Sequence, residues 1–443
     1  ESWQQPHVQQ WTRLLGTTEH DGGTGLTTDS DGSIYITGFE DSNHPSGASN
    51  LHGNSFFSKF DANGQINWEK KLIDVYSATS IAKSSDEMIY VTGGMRGQTW
   101  VVSKPFLGKY DNDGIESWKE SLSAGIAIST GVATSHDSST YITGHNYSYD
   151  LDGNKNGIMH DAFLSKYDID GNREWTEVLD SHDDYSYDVA TSNDGSIYIT
   201  GRTDGGDKEG GGYGLGGGGV RFTDEETNSG GGDAFLCKFD ADGDRKWTKL
   251  FGTSGGDSGN AITTASDGSV YIAGSTSGDL DGQLNSGESD AFLTKYDADG
   301  NQQWTQLSGT SGGDGATALT IGSDGSIYIA GSTQVDIDEQ TDSSESDAFL
   351  TKYDQHGNQK WTKVFGTSGS DSANALATFS DGSIYIAGTT EGNLNRQINS
   401  GGTDAFLAKF IPHSYAPTLD SDLELGYSLH SINGTDTQTD LKQ

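Results

Sequence analysis

Regularly spaced tryptophans are the sequence feature that most constrains the fold of this chain. Seven of them lie in similar local sequences at intervals of mostly 57 residues, namely Trp11, Trp68, Trp118, Trp175, Trp247, Trp304 and Trp361. A fixed period of this length is typical of repeat proteins, in which each unit packs on its neighbours. We therefore predict seven copies of one unit, although 443 residues would otherwise suggest about three domains.

Each copy has the pattern of four β-strands. In one complete copy the strand segments are 304–309, 316–322, 327–333 and 347–354. They are rich in Ile, Tyr, Thr and Phe, and Asp-Gly or Gly-Asn turns bound them, where glycine supplies the positive φ of a tight hairpin. Helical periodicity is absent, so the predicted fold class is all-β.

The ends of the chain decide how the sheets stack. Each sheet has apolar residues on both faces, as in Ile327 and Tyr328, and must pack on its neighbours, in a closed β-propeller or in a linear solenoid. The last copy ends at 404–410 without a tryptophan strand, whereas the chain begins with one at 10–16. We therefore predict a seven-bladed β-propeller of four-stranded antiparallel blades over residues 1–410, closed by the N-terminal strand.

Two sequence segments that recur in the copies support this prediction. The segments DAFLTKYDADGNQQWTQLSGT and DGSIYIAGST resemble the SBBP (seven-bladed β-propeller) repeat of bacterial secreted and surface proteins, and the resemblance extends over about residues 10 to 410. It implies a propeller fold and says little about activity, since propellers host many functions.

The charge of the chain restricts its partners. There are 65 acidic and 26 basic residues, which give a net charge of −39. Nucleic acids and anionic membranes repel such a polyanion, and no apolar run is long enough for membrane insertion. The single cysteine excludes an internal disulfide framework. An acidic, cysteine-poor chain suits a salty or calcium-rich medium, so we expect an extracellular or cell-surface location.

Four loops between the second and third strands of a copy suggest bound calcium. Each places oxygen-bearing side chains at positions 1, 3, 5, 7 and 12 of a twelve-residue segment. They are Asp150, Asp152, Asn154, Asn156 and Asp161; Asp279, Asp281, Gln283, Asn285 and Asp290; Asp336, Asp338, Gln340, Asp342 and Asp347; and Asn393, Asn395, Gln397, Asn399 and Asp404. Ca²⁺ takes six to eight oxygen ligands, so we predict that these sets bind Ca²⁺. The alternative is that they form turns and that the last Asp caps the next strand.

A second group of residues raises the question of catalysis. His145, Tyr147 and His160 lie in the third copy, and His182, Tyr185 and Arg202 lie in the fourth, so we expect them on one side of two adjacent blades. A polysaccharide lyase that acts on uronic-acid polymers needs a histidine or tyrosine to move protons and an arginine to neutralise a carboxylate. The candidate residues include all three types. The alternative is a lectin-like, glycan-binding site, because such side chains also bind without catalysing.

Three less regular features complete the candidate sites. The glycine-rich insertion 205–232 suggests a mobile flap, and Met95, Arg96, Trp100 and Lys104 of the second copy suggest either a contact patch or packing. A third group could hold a transition metal or consist of solvated side chains; it contains His20, Asp21, His44 and His52.

The segment 411–443 follows the last blade. Leu423, Leu425, Tyr427 and Leu429 alternate with polar residues, which predicts a strand with one apolar face. Because the ring is already closed, this strand would pack outside it or add to the sheet edge of another copy or another surface protein. Our leading interpretation is thus a non-catalytic, calcium-binding structural or adhesive unit of a cell-surface or filamentous assembly.

Overall fold

The computed structural model describes residues 6–40, 54–96, 103–122, 126–149, 155–179, 183–204, 229–334 and 345–413. These residues form 28 strands, and no helix occurs among them. The strands make seven four-stranded antiparallel sheets, which confirms the predicted fold class.

Blades 1 to 6 each consist of four strands in sequence order, and the first strand is the innermost. Blades 1 to 3 contain β2 (Asp21–Thr28), β3 (Ile34–Glu40), β4 (Asn54–Phe60) and β5 (Ile66–Leu72); β6 (Val75–Lys83), β7 (Ile89–Arg96), β8 (Ser103–Tyr110) and β9 (Glu116–Ser121); and β10 (Ile126–Thr134), β11 (Thr140–Tyr149), β12 (Lys155–Tyr167) and β13 (Arg173–Leu179).

Blades 4 to 6 repeat this order. Their strands are β14 (Asp184–Thr191), β15 (Ile197–Thr203), β16 (Asp233–Phe239) and β17 (Arg245–Phe251); β18 (Asp257–Thr264), β19 (Val270–Thr276), β20 (Asp290–Tyr296) and β21 (Gln302–Ser308); and β22 (Asp314–Ile321), β23 (Ile327–Thr333), β24 (Asp347–Tyr353) and β25 (Gln359–Phe365).

Blade 7 joins the two ends of the propeller. It contains β26 (Asp371–Thr378), β27 (Ile384–Thr390), β28 (Asp404–Ile411) and, as its outer strand, β1 (Val8–Leu15). Strand β1 runs antiparallel to β28, with Thr12 opposite Ala408. The predicted closure by the N-terminal strand is confirmed, and that strand begins two residues earlier than the tryptophan pattern indicated.

The hydrophobic core is divided among the spaces between blades. Ile34 and Ile36 of blade 1, for example, belong to the same cluster as Ala387 and Leu407 of blade 7. The second strand of each blade is therefore buried on both faces, as Tyr328 and its neighbours in β23 are. Since no sheet hides its own apolar surface, each blade depends on two others for stability.

The tryptophan period has a direct structural cause. Six of the seven outer-strand tryptophans pack on the glycine of the third hairpin turn in the following blade, as Trp247 packs on Gly300 and Trp304 on Gly357. Both glycines have positive φ, and a Cβ on either would press into the indole ring. The tryptophan and the Asp-x-x-Gly turn therefore recur together because they form one contact between blades.

The seven inner strands surround a central channel of about 320 Å³. Each inner strand carries a β-bulge. In six blades the bulged residue donates a side-chain hydrogen bond to the next blade, as from Thr79 Oγ1 to the Ser129 carbonyl at 2.8 Å and from Asn374 Nδ2 to the Gly23 carbonyl at 3.0 Å. In blade 4 the bulged residue is Tyr187, and Asp188 makes the link by accepting the Ile262 N–H at 2.9 Å. These bonds form a belt around the channel.

Candidate functional site

The loops that carry the candidate residues lie on one face of the propeller. The loop entering each blade lies beside the loop between the second and third strands of the blade before it. At blades 5 and 6 the Asp314 N–H donates to the Ser289 carbonyl at 2.8 Å, and the Glu288 N–H donates to the Gly312 carbonyl at 3.1 Å. The same face at blades 3 and 4 bears an aromatic cluster.

Three predicted residues meet in this cluster. The ring centroids of His145 on β11 and His160 on β12 are 5.6 Å apart, and Tyr185 on β14 lies 5.0 Å from His145 and 4.8 Å from His160. Tyr187 extends the cluster towards the channel, with its ring stacked 6.5 Å from that of Tyr185. We refer to His145, His160, Tyr185 and Tyr187 as the ring cluster; all four side chains are partly exposed.

The imidazole of His145, the most enclosed one in the ring cluster, is uncharged near pH 7. Burial lowers the pKa of His145 to about 4, and the neighbouring His160 contributes to the shift. Burial also raises the pKa of the hydroxyl groups of Tyr185 and Tyr187. The uncharged forms of these side chains are therefore the stable ones.

Arg202 lies at the edge of the cluster, opposite Tyr185 in the sheet. Its guanidinium is 2.7 Å from Asp204 Oδ1 and donates to the Gly231 carbonyl at 3.0 Å. The positive charge of Arg202 is thus paired with a carboxylate of the same blade. Of the other two candidates, the side chain of Tyr147 and the whole of His182 lie outside the described residues.

Comparison between blades singles out the ring cluster. The position of His160, just before the third-strand aspartate, is occupied by Gly232, Ser289, Ser346 and Thr403 in blades 4 to 7. The position of Tyr185, just after the first residue of the inner strand, is occupied by Ser258, Gly315, Ser372 and Gly22. These blades carry small residues at both positions, whereas blade 2 has Tyr76 just after Val75, so the rings of blades 3 and 4 add aromatic surface that most blades lack.

The predicted calcium loop of blade 5 is closed by its own hydrogen bonds. Asp279 Oδ1 accepts the Asn285 N–H at 2.9 Å, whereas Asp281 Oδ2 accepts the Thr305 hydroxyl at 2.6 Å on the outer strand β21. The Asn285 side-chain amide donates to the Thr276 carbonyl at 3.0 Å, and the Gln283 side chain is exposed. These hydrogen bonds hold the loop and join it to its outer strand.

The loop of blade 7 repeats this arrangement with amides. Asn393 Oδ1 accepts the Asn399 N–H at 2.9 Å, and Asn395 Nδ2 donates to Thr12 Oγ1 at 3.1 Å on the outer strand β1. Because Asn performs the role of Asp at both positions, turn formation explains these residues without an ion. Calcium in the loops stays a prediction.

Only some of the remaining loop residues are among the described residues. Those of blades 3 and 6 lie outside the described residues, or have side chains that do, namely Asp150, Asp152, Asn154, Asn156, Asp336, Asp338, Gln340 and Asp342. The residue at position twelve is described in all four loops, as Asp161, Asp290, Asp347 and Asp404, and each is at least 97% buried. Asp290 Oδ2 accepts the Ser286 N–H at 3.0 Å, which is the cap that the alternative interpretation expected.

A second set of buried aspartates was missed by the sequence analysis. It begins the inner strands of five blades and consists of Asp21, Asp184, Asp257, Asp314 and Asp371. Asp314 Oδ2, for example, accepts the Thr310 N–H at 2.6 Å and the Thr310 hydroxyl at 2.8 Å. The sequence contains a pattern that predicts this set, because the motifs GTSGGD, GTSGSD and GTTEHD place an Asp five residues after a Gly in four of the copies.

The two sets of aspartates meet where one blade joins the next. Burial raises the pKa of Asp290, and the charge of Asp314 contributes. Burial likewise raises the pKa of Asp21, with the charges of Glu40 and Asp404 adding to the shift. At both junctions the charge of one aspartate thus helps to raise the pKa of the other.

The other irregular features are only partly described. Met95 packs against the core of blade 2, as the packing alternative expected, while the Arg96 side chain and Trp100 lie outside the described residues and Lys104 is partly exposed. His20 Nδ1 is 3.0 Å from Thr403 Oγ1, and His44 and His52 lie outside the description, as do residues 205–228 and 414–443.

Two absences hold for the described residues alone. No helix among them is long and apolar enough to cross a membrane. No group of three or more His, Cys, Asp or Glu side chains among them is arranged to hold a metal ion.

Solved structures share the fold. The virginiamycin B lyase from Staphylococcus aureus is 12% identical with a TM-score of 0.50, covering 90% of this chain and 98% of its own. The endosialidase of phage phi92 is 10% identical with a TM-score of 0.50, covering 99% of this chain and 76% of its own. Likeness at these identities concerns the fold alone.

Curated relatives are longer than this chain. The regulatory protein FlaEY of Caulobacter vibrioides is 34% identical over 164 residues, which are 33% of this chain and 17% of that protein. An uncharacterised WD repeat-containing protein of Acanthamoeba polyphaga mimivirus is 24% identical over 90% of this chain and 38% of its own length. The chain thus spans well under half of either relative.

The family comparison agrees with the blade structure. The beta-propeller repeat named SBBP matches residues 10–38 and 246–281. The first match covers most of β1, β2 and β3, and the second covers most of β17, β18 and β19, so each runs from an outer strand into the next blade. The chain therefore carries SBBP beta-propeller repeats at these two segments, within a seven-bladed β-propeller.

Proposed function

We propose that the protein is a non-catalytic, adhesive propeller of the cell exterior that binds neutral glycans at the ring cluster. The observation that carries the proposal is the contact between His160 and Tyr185, which stand at positions where blades 5 to 7 have Gly, Ser or Thr. A group of mutually packed rings that is partly exposed on the loop face is expected of residues kept for a ligand.

The chemistry of the ring cluster suits a sugar. Binding sites combine apolar and aromatic surface with a few polar groups that orient the ligand. The faces of Tyr185 and His160 offer a surface on which the C–H side of a pyranose can stack, and the nearby Arg202–Asp204 pair offers polar groups for sugar hydroxyls. The neutral form of His145 avoids the desolvation of a charge on binding.

A uronic-acid lyase fits the same residues less well. A general base works best with a pKa near the working pH, whereas burial holds the pKa of His145 near 4. The Arg202 guanidinium is engaged by Asp204 and the Gly231 carbonyl, so binding a substrate carboxylate would require breaking these contacts. The net charge of −39 also repels polyanionic substrates, which favours a neutral glycan.

The test is a glycan array followed by calorimetric titration of the hits. We expect binding of neutral oligosaccharides and its loss in the double variant His160→Ser, Tyr185→Ser, which is expected to fold because Ser stands at these positions in other blades. Phe39→Thr is the matched control, since Phe39 holds the position of His145 in blade 1 and Thr389 holds it in blade 7.

Two results would overturn the proposal. One is a panel in which no glycan binds to the intact chain. The other is the formation of unsaturated, ultraviolet-absorbing products from uronic-acid polymers that stops in the double variant, which would make the cluster catalytic.

The adhesive role also includes the assembly predicted from the alternating residues of the segment 411–443. If that segment adds to the sheet edge of another copy, sedimentation should show concentration-dependent oligomers for the full chain and monomers for a chain that ends at residue 413. Oligomers that persist in the shorter chain would place the contact elsewhere.

A further inference from the structure

We infer that calcium-sized divalent cations bind between blades, at pairs of buried aspartates from adjacent sheets. Each pair joins the first residue of a third strand to the first residue of the next inner strand. We call these the junction pairs: Asp233 with Asp257, Asp290 with Asp314, Asp347 with Asp371, and Asp404 with Asp21. The inference is independent of glycan binding.

The two carboxylates of a junction pair approach the same point. Gly252 lies between Asp233 and Asp257, and the position that its Cβ would occupy is 2.7 Å from Asp233 Oδ1 and 2.8 Å from Asp257 Oδ2. Gly366 is enclosed in the same way by Asp347 and Asp371. The missing side chain of the glycine thus makes room for oxygens from two blades.

In two of the junction pairs, one oxygen of each carboxylate has no hydrogen-bond partner among the described residues. The Oδ1 atoms of Asp404 and Asp21, and likewise those of Asp290 and Asp314, are buried without a hydrogen-bond donor among the described residues. The four side chains are at least 97% buried. Their Oδ2 atoms, in contrast, accept N–H groups four residues earlier, as Asp404 Oδ2 accepts that of Ser400 at 2.8 Å.

A buried carboxylate oxygen without a partner is costly, and a second carboxylate beside it raises the cost. A hard divalent cation removes both penalties, because carboxylate oxygens are its preferred ligands and water completes the shell. Ca²⁺ tolerates such irregular oxygen sets, whereas Mg²⁺ requires near-octahedral geometry.

The propeller itself shows that the fold does not require these carboxylates. The inner strands of blades 2 and 3 bring Val75 and Ala127 to the place of the inner aspartate, and both are buried. A junction can therefore form without an aspartate at the start of the inner strand, and the acidic pairs at the other junctions call for a separate explanation.

The test separates the junctions from the loops that the sequence suggested. Chelator-treated full chain is titrated with CaCl₂ at pH 7 in a calorimeter, and the number of bound equivalents is compared between variants. We expect Asp290→Asn, Asp314→Asn to lose one equivalent. Asn keeps the oxygen that accepts the Ser286 or Thr310 N–H, so the local hydrogen bonds persist.

The matched control is Asp279→Asn, Asp281→Asn in the loop of the same blade, where blade 7 naturally carries Asn393 and Asn395. This variant should keep every equivalent. Melting with and without Ca²⁺ adds a second readout, because an ion that binds only the folded chain raises the melting temperature.

Three outcomes would overturn the inference. The intact chain binds no Ca²⁺, which would mean that the pairs share protons; the junction variant keeps all equivalents while melting as a folded protein; or the loop variant loses the equivalent instead.

Discussion

The imidazole of His7 covers the indole of Trp361, with the ring centroids 5.4 Å apart. In the other blades a turn glycine of the following blade packs on the outer tryptophan, as Gly357 packs on Trp304. Blade 7 has no such turn, because its third and outer strands come from opposite ends of the chain. The residue before β1 takes the place of the turn, and His7 Nε2 is 3.0 Å from the Gly382 carbonyl.

This contact predicts a dependence of stability on pH. Burial lowers the pKa of His7 to about 4, against the hydrogen bond that His7 donates to the Gly382 carbonyl, which raises it. Between pH 6.5 and pH 4, His7 is protonated in the unfolded chain but not in the folded chain. The free energy of unfolding therefore decreases as the pH falls from 7 towards 4. The loss reaches about 3 kcal/mol. Denaturant unfolding at pH 7 and pH 4 should show a smaller difference for His7→Gln than for the parent chain; equal differences would contradict the prediction.

The belt around the channel gives a second prediction. Thr317 Oγ1 donates to the Ala373 carbonyl of the next blade, and Val has nearly the same shape without the hydroxyl. We expect Thr317→Val to lower the free energy of unfolding by about 1 kcal/mol, the usual net worth of one hydrogen bond. Thr317→Ser keeps the donor and should lose less; if Ser and Val lose the same amount, the hydrogen bond is not the cause.

A third prediction concerns the glycines that face the junction pairs. A Cβ on Gly309 would collide with Asp290 Oδ1, whereas nothing lies within 4 Å of a Cβ on Gly256, and neither glycine has positive φ. Gly309→Ala should therefore cost about 1 to 3 kcal/mol, as overpacking does. Gly256→Ala should be neutral or stabilise by up to about 1 kcal/mol, because it restricts the unfolded chain. Similar melting temperatures for the two variants would mean that the junction is not tightly packed.

A fourth prediction follows from the closure of blade 7. A chain that begins at Gly16 lacks β1 and leaves β28 as an unpaired edge, which is a template for pairing with other chains. We expect it to melt at a lower temperature and to form oligomers in sedimentation, while a chain that begins at Pro6 keeps β1 and the properties of the parent. A short chain that stays monomeric and equally stable would show that the ring does not need this strand.

Much of the fold was predictable because its determinants are local. All the signals for the blades lie within one repeat: the Asp-Gly turns, the four short strands of each copy and the tryptophan period. The incomplete copy at each end of the chain predicted the closure through Val8–Leu15. The meeting of His145, His160 and Tyr185 was also predictable, since adjacent copies had to become adjacent blades.

The directions of the loop side chains were not predictable from spacing. Asp279 and Asp281 alternate like metal ligands, yet Asp281 has a φ of 51° and bonds to the outer strand, while Asp279 bonds within its own loop. Alternation predicts a shared face only in regular extended backbone, and a positive φ ends that regularity.

The amino-acid sequence by itself determined the number of blades, their strands and the way the ring closes, because hairpin turns and alternating burial act over a few residues. Only the tertiary structure decided which aspartates face each other. Asp404 and Asp21 stand at opposite ends of the chain, and their carboxylates meet because closing the ring forces the first and last blades to share one buried junction.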